Sequence, residues 1–237
     1  MKTVSFLVAA VLFAEAASAA GIALLSVATG ECTLELARSG KMRPVPVVQP
    51  LPYGEEFLLS LEGPAQKHAL KENERVAAGN GRRAALAVQQ DRDTRERRET
   101  EARHVLGQSD LGKAVLESPA IFADALATNR AFSVLRADAD GFVAAADDAR
   151  LVRLLFGVPR FNPLPAPLPN TSNEPIRVTL PVTVKVESPE GETILLETFE
   201  QTLTAPDSDA LLGPARAAFF KRLVCAGVES AIQRIPQ

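Results

Sequence analysis

The sequence predicts an α+β fold: a small N-terminal antiparallel β module, then an α/β domain built on a long β-hairpin packed by a C-terminal helix. Three observations carry this prediction. From Ile176 to Glu187 apolar and polar residues alternate without a break, the period of a half-buried strand. Near the C-terminus Phe220, Leu223, Val224, Gly227, Ala231 and Ile235 recur at helical spacing. Between Ile22 and Leu61 four short apolar runs are punctuated by turn residues about every ten positions, the rhythm of short antiparallel strands.

The chain has 237 residues, a formal net charge of −3 and a hydrophobic fraction of 46%, enough for an ordinary core in one large or two small domains. Lys and Arg are not in excess, Trp is absent and Tyr occurs once, which excludes nucleic acid as an expected partner.

In chain order, Lys2 followed by the apolar run Val4–Ala14 and the small-x-small site Ala17-Ser18-Ala19 reads as a secretory signal peptide over residues 1–19, with mature protein starting at Ala20. The alternative is a retained N-terminal anchor, against which Glu15 and the small-residue run count. No later stretch is long and apolar enough to span a bilayer, so no transmembrane segment is expected after cleavage. The residues before Cys32 are not those of a lipid-attachment box. Cys32 and Cys225 then remain, either paired across an oxidising compartment or buried as two small hydrophobes.

Ile22–Ala28, Cys32–Ala37, Val45–Val48 and Phe57–Leu61 are the four expected strands of the module, residues 20–78. Ala65–Ala78 fits a strand or a helix. Gly79-Asn80-Gly81 reads as a turn and opens a charged connector, residues 79–108. It lacks the third glycine and the Gly-Lys-Ser/Thr of a phosphate loop. Ala84–Val88 reads as a short strand. Asp91–Arg103 carries five arginines against five acids, a solvated helix or ion-paired loop.

The second domain spans residues 109–237. Ser109-Asp110 caps a helix to about Glu117, and Ser118-Pro119 restarts it, with Ser118 as cap and Pro119 at the first position. Ala131–Arg136 reads as a strand. Asp140 caps a helix with Phe142, Ala145, Ala149, Val152 and Phe156 on one face. Residues 159–175 contain six prolines and form an extended connector. Ser188-Pro189-Glu190-Gly191 then makes a type I turn with a glycine bulge. That turn places Val186 opposite Ile194 and Val184 opposite Leu196. A phase change in the second strand requires a β-bulge near Glu197–Thr198, which puts Val182 opposite Phe199. Pro181 cannot donate to a ladder and marks a local sheet edge. The hairpin ends at residue 205, and Pro214 opens the last helix.

The phrases ALLSVATGECTLELARSGK and VPVVQPLPYGEEFLLSLEGPAQ, with Gly30, the Gly40-Lys41 tip and Leu51-Pro52-Tyr53-Gly54-Glu55, resemble the FecR-like, SH3-like periplasmic β module over residues 22–78. The resemblance implies a binding or structural domain without catalytic residues. FADALATNRAFSVLRAD and VTVKVESPEGETIL, in the order strand, helix, strand, helix, hairpin, helix, are similar to the periplasmic α/β domain of the curli secretion channel protein and of penicillin-binding-protein activators. The chain departs from that family in the insertion at residues 91–103, the proline-rich connector and the lack of a lipidated cysteine.

Chemistry-bearing motifs are sparse. His68 and His104 have no partner at metal-ligand spacing, and no Gly-x-Ser-x-Gly elbow occurs. Asp138-Ala139-Asp140-Gly141 begins like a calcium loop, but Phe142, Val143 and Ala149 stand where later ligands and the turn glycine belong. Asp147 and Asp148 are adjacent and would diverge on a helix. Asn170-Thr171-Ser172 is a formal glycosylation sequon. No catalytic, metal or cofactor-binding residue is therefore assigned, no cofactor is expected, and no concavity is expected to hold His68 or His104 beside a carboxylate. The expectation is a periplasmic or secreted bacterial envelope protein that acts without catalysis on other envelope proteins or a cell-wall component. The Pro181 edge and the proline connector are its expected contact surfaces. The alternatives are an exported hydrolase with a scattered site, or a small-ligand receptor.

Overall fold

A computed structural model describes residues 19–30, 32–42, 44–129, 131–143, 148–163 and 174–237. The expected signal peptide up to residue 18, the adjacent acids' Asp147, the middle of the proline connector and the sequon lie outside the described residues. The elements in order are β1 (Ala20–Thr29), β2 (Cys32–Glu35), β3 (Arg38–Ser39), α1 (Glu55–Ser60), α2 (Gly63–Leu106), α3 (Asp110–Ala127), β4 (Phe132–Val134), β5 (Phe142–Val143), β6 (Arg150–Phe156), β7 (Arg160–Asn162), β8 (Ile176–Glu187), β9 (Thr193–Ala205) and α4 (Gly213–Ile232). The mixed α+β class, the hairpin and the C-terminal helix agree with the sequence reading.

Seven strands form one mixed sheet. β6 lies at its centre, parallel to β1 and antiparallel to β8. β4 and β2 lie end to end on the other flank of β1, pairing Ala20–Ile22 and Ser26–Thr29 respectively. β6 and β7 share one flank of β8, and β9 covers the other. β3 and β5 pair separately. The first strands therefore do not build a module of their own, because β1 is hydrogen-bonded into the sheet that also holds the hairpin. Ile22, Ala23, Leu25 and Val27 are buried on its two faces, which demands cover from both sides.

Three further expectations are corrected. Phe57–Leu61 is not a strand, since α1 takes Glu55–Ser60. Ala65–Ala78, Gly79-Asn80-Gly81, Ala84–Val88 and Asp91–Arg103 are all one helix, α2, which crosses the expected boundary between module and connector. Its charge run supports it through pairs one turn apart, Arg92–Glu96 and Glu99–Arg103. The expected helix over Phe142–Phe156 is instead β5 and β6, with residues 144–147 not described. Leu151, Val152, Leu154 and Phe156 are all buried, and a strand buried on both faces shows no clean alternation.

α3 is a single helix through Pro119, without the expected restart. Proline at that position removes the N–H that would reach the Val115 carbonyl. The Ser118 hydroxyl donates to that carbonyl at 2.7 Å, so the vacated acceptor is satisfied inside the core. Ser118→Ala should lower stability by about 1–3 kcal/mol, the effect of leaving a buried acceptor unpaired, as read from urea denaturation.

The sheet's main apolar face lies under α3 and α4. Val178, Leu180, Val182, Val184 and Val186 of β8 meet Phe219, Phe220, Leu223, Val224 and Val228 of α4 in one core. The predicted stripe is buried as expected, although Ile235 lies beyond the end of α4. Gly227 marks the closest crossing: a Cβ there would stand 3.2 Å from the Val182 methyl. On the opposite face Ala23, Leu25, Ala37, Val143 and Leu151 form a smaller core.

β8 is an interior strand, not an edge, and Pro181 is accommodated differently. Its carbonyl accepts from Gly157 N–H at 2.8 Å, so its nitrogen faces the gap between β6 and β7 where no ladder partner is needed. The sheet edge on this side is β9.

Candidate functional site

α2 has 44 residues and is about 66 Å long at 1.5 Å per residue. Its C-terminal turns join the core through Ala102 and Leu106. Its N-terminal two-thirds carry a different companion. The segment from Pro44 to Leu61 runs back along the helix, and three side-chain amides hold it. Asn80 accepts from the Gln49 N–H at 2.9 Å and donates to the Gln49 carbonyl at 2.8 Å. Asn73 pairs in the same way with Tyr53, at 3.1 and 2.8 Å. Gln66 donates to the Leu58 carbonyl at 3.1 Å. As the helix numbers fall the strap numbers rise, so the two run antiparallel. Gln66, Asn73 and Asn80 are seven residues apart, which returns each to nearly the same helix face.

The strap's composition suits this arrangement. Pro44, Pro46, Pro50 and Pro52 keep it extended and have no N–H to satisfy. With its backbone gripped by the amides, the strap turns its apolar side chains outward. Val45 is 91% and Val47 83% exposed, and Val48, Leu51, Phe57 and Leu59 are exposed beside them. Of the seventeen large apolar side chains exposed among the described residues, ten lie between Met42 and Val88. Single exposed apolar residues are ordinary on a protein surface, but a concentration of them marks an interaction site. Strap and helix together form an arm whose rigidity comes from polar pairing and whose surface is apolar.

At the arm's root lies a cleft of 480 Å³ lined by Arg38, Arg95, Arg98 and Arg153 together with Glu35, Asp91 and Glu99. Arg38 Nη1 contacts both Asp91 carboxylate oxygens, at 2.9 and 3.0 Å, fixing α2 to β3. Arg95 lies directly against Gly141, whose φ of +79° and lack of a Cβ leave the guanidinium its place. Arg153 ties the sheet together through Glu187 at 3.0 Å and Glu35 at 3.4 Å. Partial burial pushes the Glu187 carboxyl up, but hydrogen bonds and charge attraction from Lys185 and Arg153 outweigh it, so the net shift is downward. A depressed carboxyl contributes stability that is complete above its unfolded pKa and lost as pH falls through its folded one. Glu187→Gln should therefore lower stability through the neutral range and converge on the parent curve in acid, below the ordinary carboxylate range, so that the acid limb flattens, as thermal melts across pH would read.

The residues singled out in the sequence do not converge. His68 and His104 are both exposed and lie 36 positions apart on α2, and His104 Nε2 is within 3.2 Å of the Gln108 amide. One expectation fails here: a shallow groove does place His104 with Asp93, Glu96 and Glu101. Its described lining, with Arg97 and Thr100, comes wholly from one face of α2. Cys32 and Cys225 are free thiols. Burial, with Glu101 beside Cys32 and Glu229 beside Cys225, raises both and disfavours the thiolate. Asp138 does not begin a calcium loop and Asp140 caps no helix. Asp138 Oδ1 accepts from the Asp140 and Phe142 N–H groups, closing a turn with Gly141. Among the described residues no group of three or more His, Cys, Asp and Glu is placed to hold a metal ion.

The amide ladder is the feature sequence reasoning missed. Its signal was present as Gln66, Asn73 and Asn80 at seven-residue spacing, masked because a polar stripe does not register as a buried face. Compared with known proteins, the chain matches no family model, and no curated protein matches it either.

Proposed function

We propose that this is an exported bacterial envelope protein, periplasmic or secreted, acting without catalysis as an interaction or assembly module whose arm contacts other envelope proteins or a cell-wall component. The observation that carries this reading is the outward apolar display of the strap along α2. Two features support export. Residues 1–19 have the charge, apolar run and cleavage site of a signal peptide. β1 begins at Ala20, so cleavage before it leaves every strand pair intact. No helix among the described residues is long and apolar enough to cross a membrane. α3, β4, the hairpin and α4 follow the order implied by the resemblance to the curli-channel and activator domain, while residues 84–88 and 142–156 depart from it.

The test is a photo-crosslinking residue at Val47 or Leu59 in intact envelopes, with Thr202 on the polar sheet face as reference. Discrete adducts at Val47 and Leu59, weaker or absent at Thr202, are expected. Adducts at Thr202 alone would sink the reading. N-terminal sequencing of the protein from envelope fractions should begin at Ala20; a chain still beginning at Met1 would remove the support for cleavage. The arginine-lined cleft favours the small-ligand alternative, for a carboxylate or phosphate. A thermal upshift with inorganic phosphate or citrate that Arg98→Ala abolishes would favour that reading over the arm.

A further inference from the structure

We infer that the arm's partner includes a second copy of this chain, with two α2 helices crossing antiparallel about Ala78. This inference rests on reading the arm as the interaction surface. Leu70, Glu74, Ala78, Arg82 and Leu86 are spaced four residues apart and all are exposed. They form one ridge along α2, and its centre, Ala78, is turned about 160° away from Asn80 and the strap at 100° per residue.

The ridge is self-complementary. Ala78 is its midpoint, Glu74 and Arg82 are equidistant from it with opposite charge, and Leu70 and Leu86 are equidistant beyond them. Within one chain Glu74 and Arg82 are about 12 Å apart along the helix axis, too far to pair. Among the described residues neither takes part in an ion pair, whereas the neighbouring Arg75 is taken by Glu72 at 2.6 Å. A two-fold axis through Ala78 brings Glu74 of each copy to Arg82 of the other, forming two ion pairs from charges unpaired in the single chain. It also brings Leu70 of each copy to the level of Leu86 of the other, outside the ion pairs.

The crossing point is built from small residues: Ala77, Ala78, Gly79 and Gly81. A Cβ added at Gly79 or Gly81 would meet nothing within 4 Å, so nothing among the described residues fills that side. Ridges at four-residue spacing pack into each other's grooves at about −50°, and small side chains let the axes approach to the short end of the usual range. A heterologous partner would need to bring the same charge pattern from an unrelated sequence; a second copy carries it by symmetry.

The test is sedimentation velocity on the purified protein and its charge variants. The protein should be a dimer at about 100 μM that weakens as salt rises. Glu74→Arg and Arg82→Glu should each weaken it about tenfold or more, since each replaces two attractions by two repulsions. The double variant Glu74→Arg/Arg82→Glu should restore it. Circular dichroism should show unchanged helix content, because both side chains are exposed. A monomeric wild-type protein would overturn the inference, as would a dimer unaffected by either single reversal. A monomer whose Val47 still crosslinks to another envelope protein would overturn only the dimer and leave the arm's role standing.

Discussion

Gly112→Ala is expected to lower the stability of the protein by about 3 kcal/mol, the upper part of the range for overpacking a tight site. Gly112 lies in the first turn of α3, where its N–H donates to the capping Ser109 hydroxyl at 2.9 Å. A Cβ at that position would stand 2.1 Å from the Leu106 carbonyl oxygen and 2.8 Å from its carbon. Both atoms are backbone at the end of α2, so no rotamer change relieves the clash. The turn must open, which pulls Leu106 from the core and disturbs the cap together. Alanine's higher helix propensity offsets only about 1 kcal/mol of this. For a chain of this size the melting temperature should fall by about 6–12 °C. An unchanged melting temperature would contradict the close α2–α3 junction. The consequence extends to function, because this junction sets the direction in which the arm leaves the sheet.

The second large effect is local. Replacing Asn73 and Asn80 by alanine should release the strap while the sheet and its two covering helices stay folded. Each substitution removes two hydrogen bonds to the strap backbone and leaves a peptide N–H and C=O without their partner. At about 0.5–1.5 kcal/mol per hydrogen bond and two bonds to each amide, local opening should rise by roughly five- to a hundredfold for each. Hydrogen exchange at Gln49 and Tyr53 reads this directly, and those amides should lose their protection while β8 amides keep theirs. Arm crosslinks through Val47 should weaken in parallel, since the apolar side chains are no longer held in one arrangement. Full protection at Gln49 and Tyr53 in the double variant would show that the amides do not hold the strap. The two predictions separate the arm's attachment from its surface.

How far the sequence could be read differs from element to element. The hairpin was legible because strand alternation and turn chemistry are local. Ser188 N–H donates to the Glu192 carbonyl, Gly191 takes a φ of +91°, and Val182 faces Phe199, all as the turn and the pattern require. The bulge, however, lies at Ile194 and not at Glu197–Thr198: Val186 pairs with Leu195, and Glu187 with Thr193. That early shift turns Leu195, Glu197 and Phe199 toward the helices together. Arg234, just past α4, pairs with Glu197 at 3.1 Å and lies 4.0 Å above the Phe199 ring. A contact with a residue 35 positions after Phe199 is invisible to any local pattern.

The long helix was illegible for the opposite reason. Gly79 and Gly81 each lower helix propensity by about 1 kcal/mol relative to alanine, and a turn was the natural reading of Gly79-Asn80-Gly81. The strap supplies what propensity lacks, since Asn80 lies between those glycines and clamps Gln49. β6 was misread because burial on both faces erases the period that separates strand from helix.

By itself, then, the sequence determined the α+β class, the hairpin with its turn, and the C-terminal helix with its buried stripe, because each depends on side chains within a few residues of one another. The tertiary structure alone decided that β1 and β2 join the hairpin's sheet, that Pro181 sits at the gap between β6 and β7, and that α2 with its strap forms an arm. Those outcomes depend on backbone hydrogen bonds and on amides meeting peptides across long separations in the chain. The free energy of such contacts belongs to the assembled partners and leaves no periodic trace in either segment.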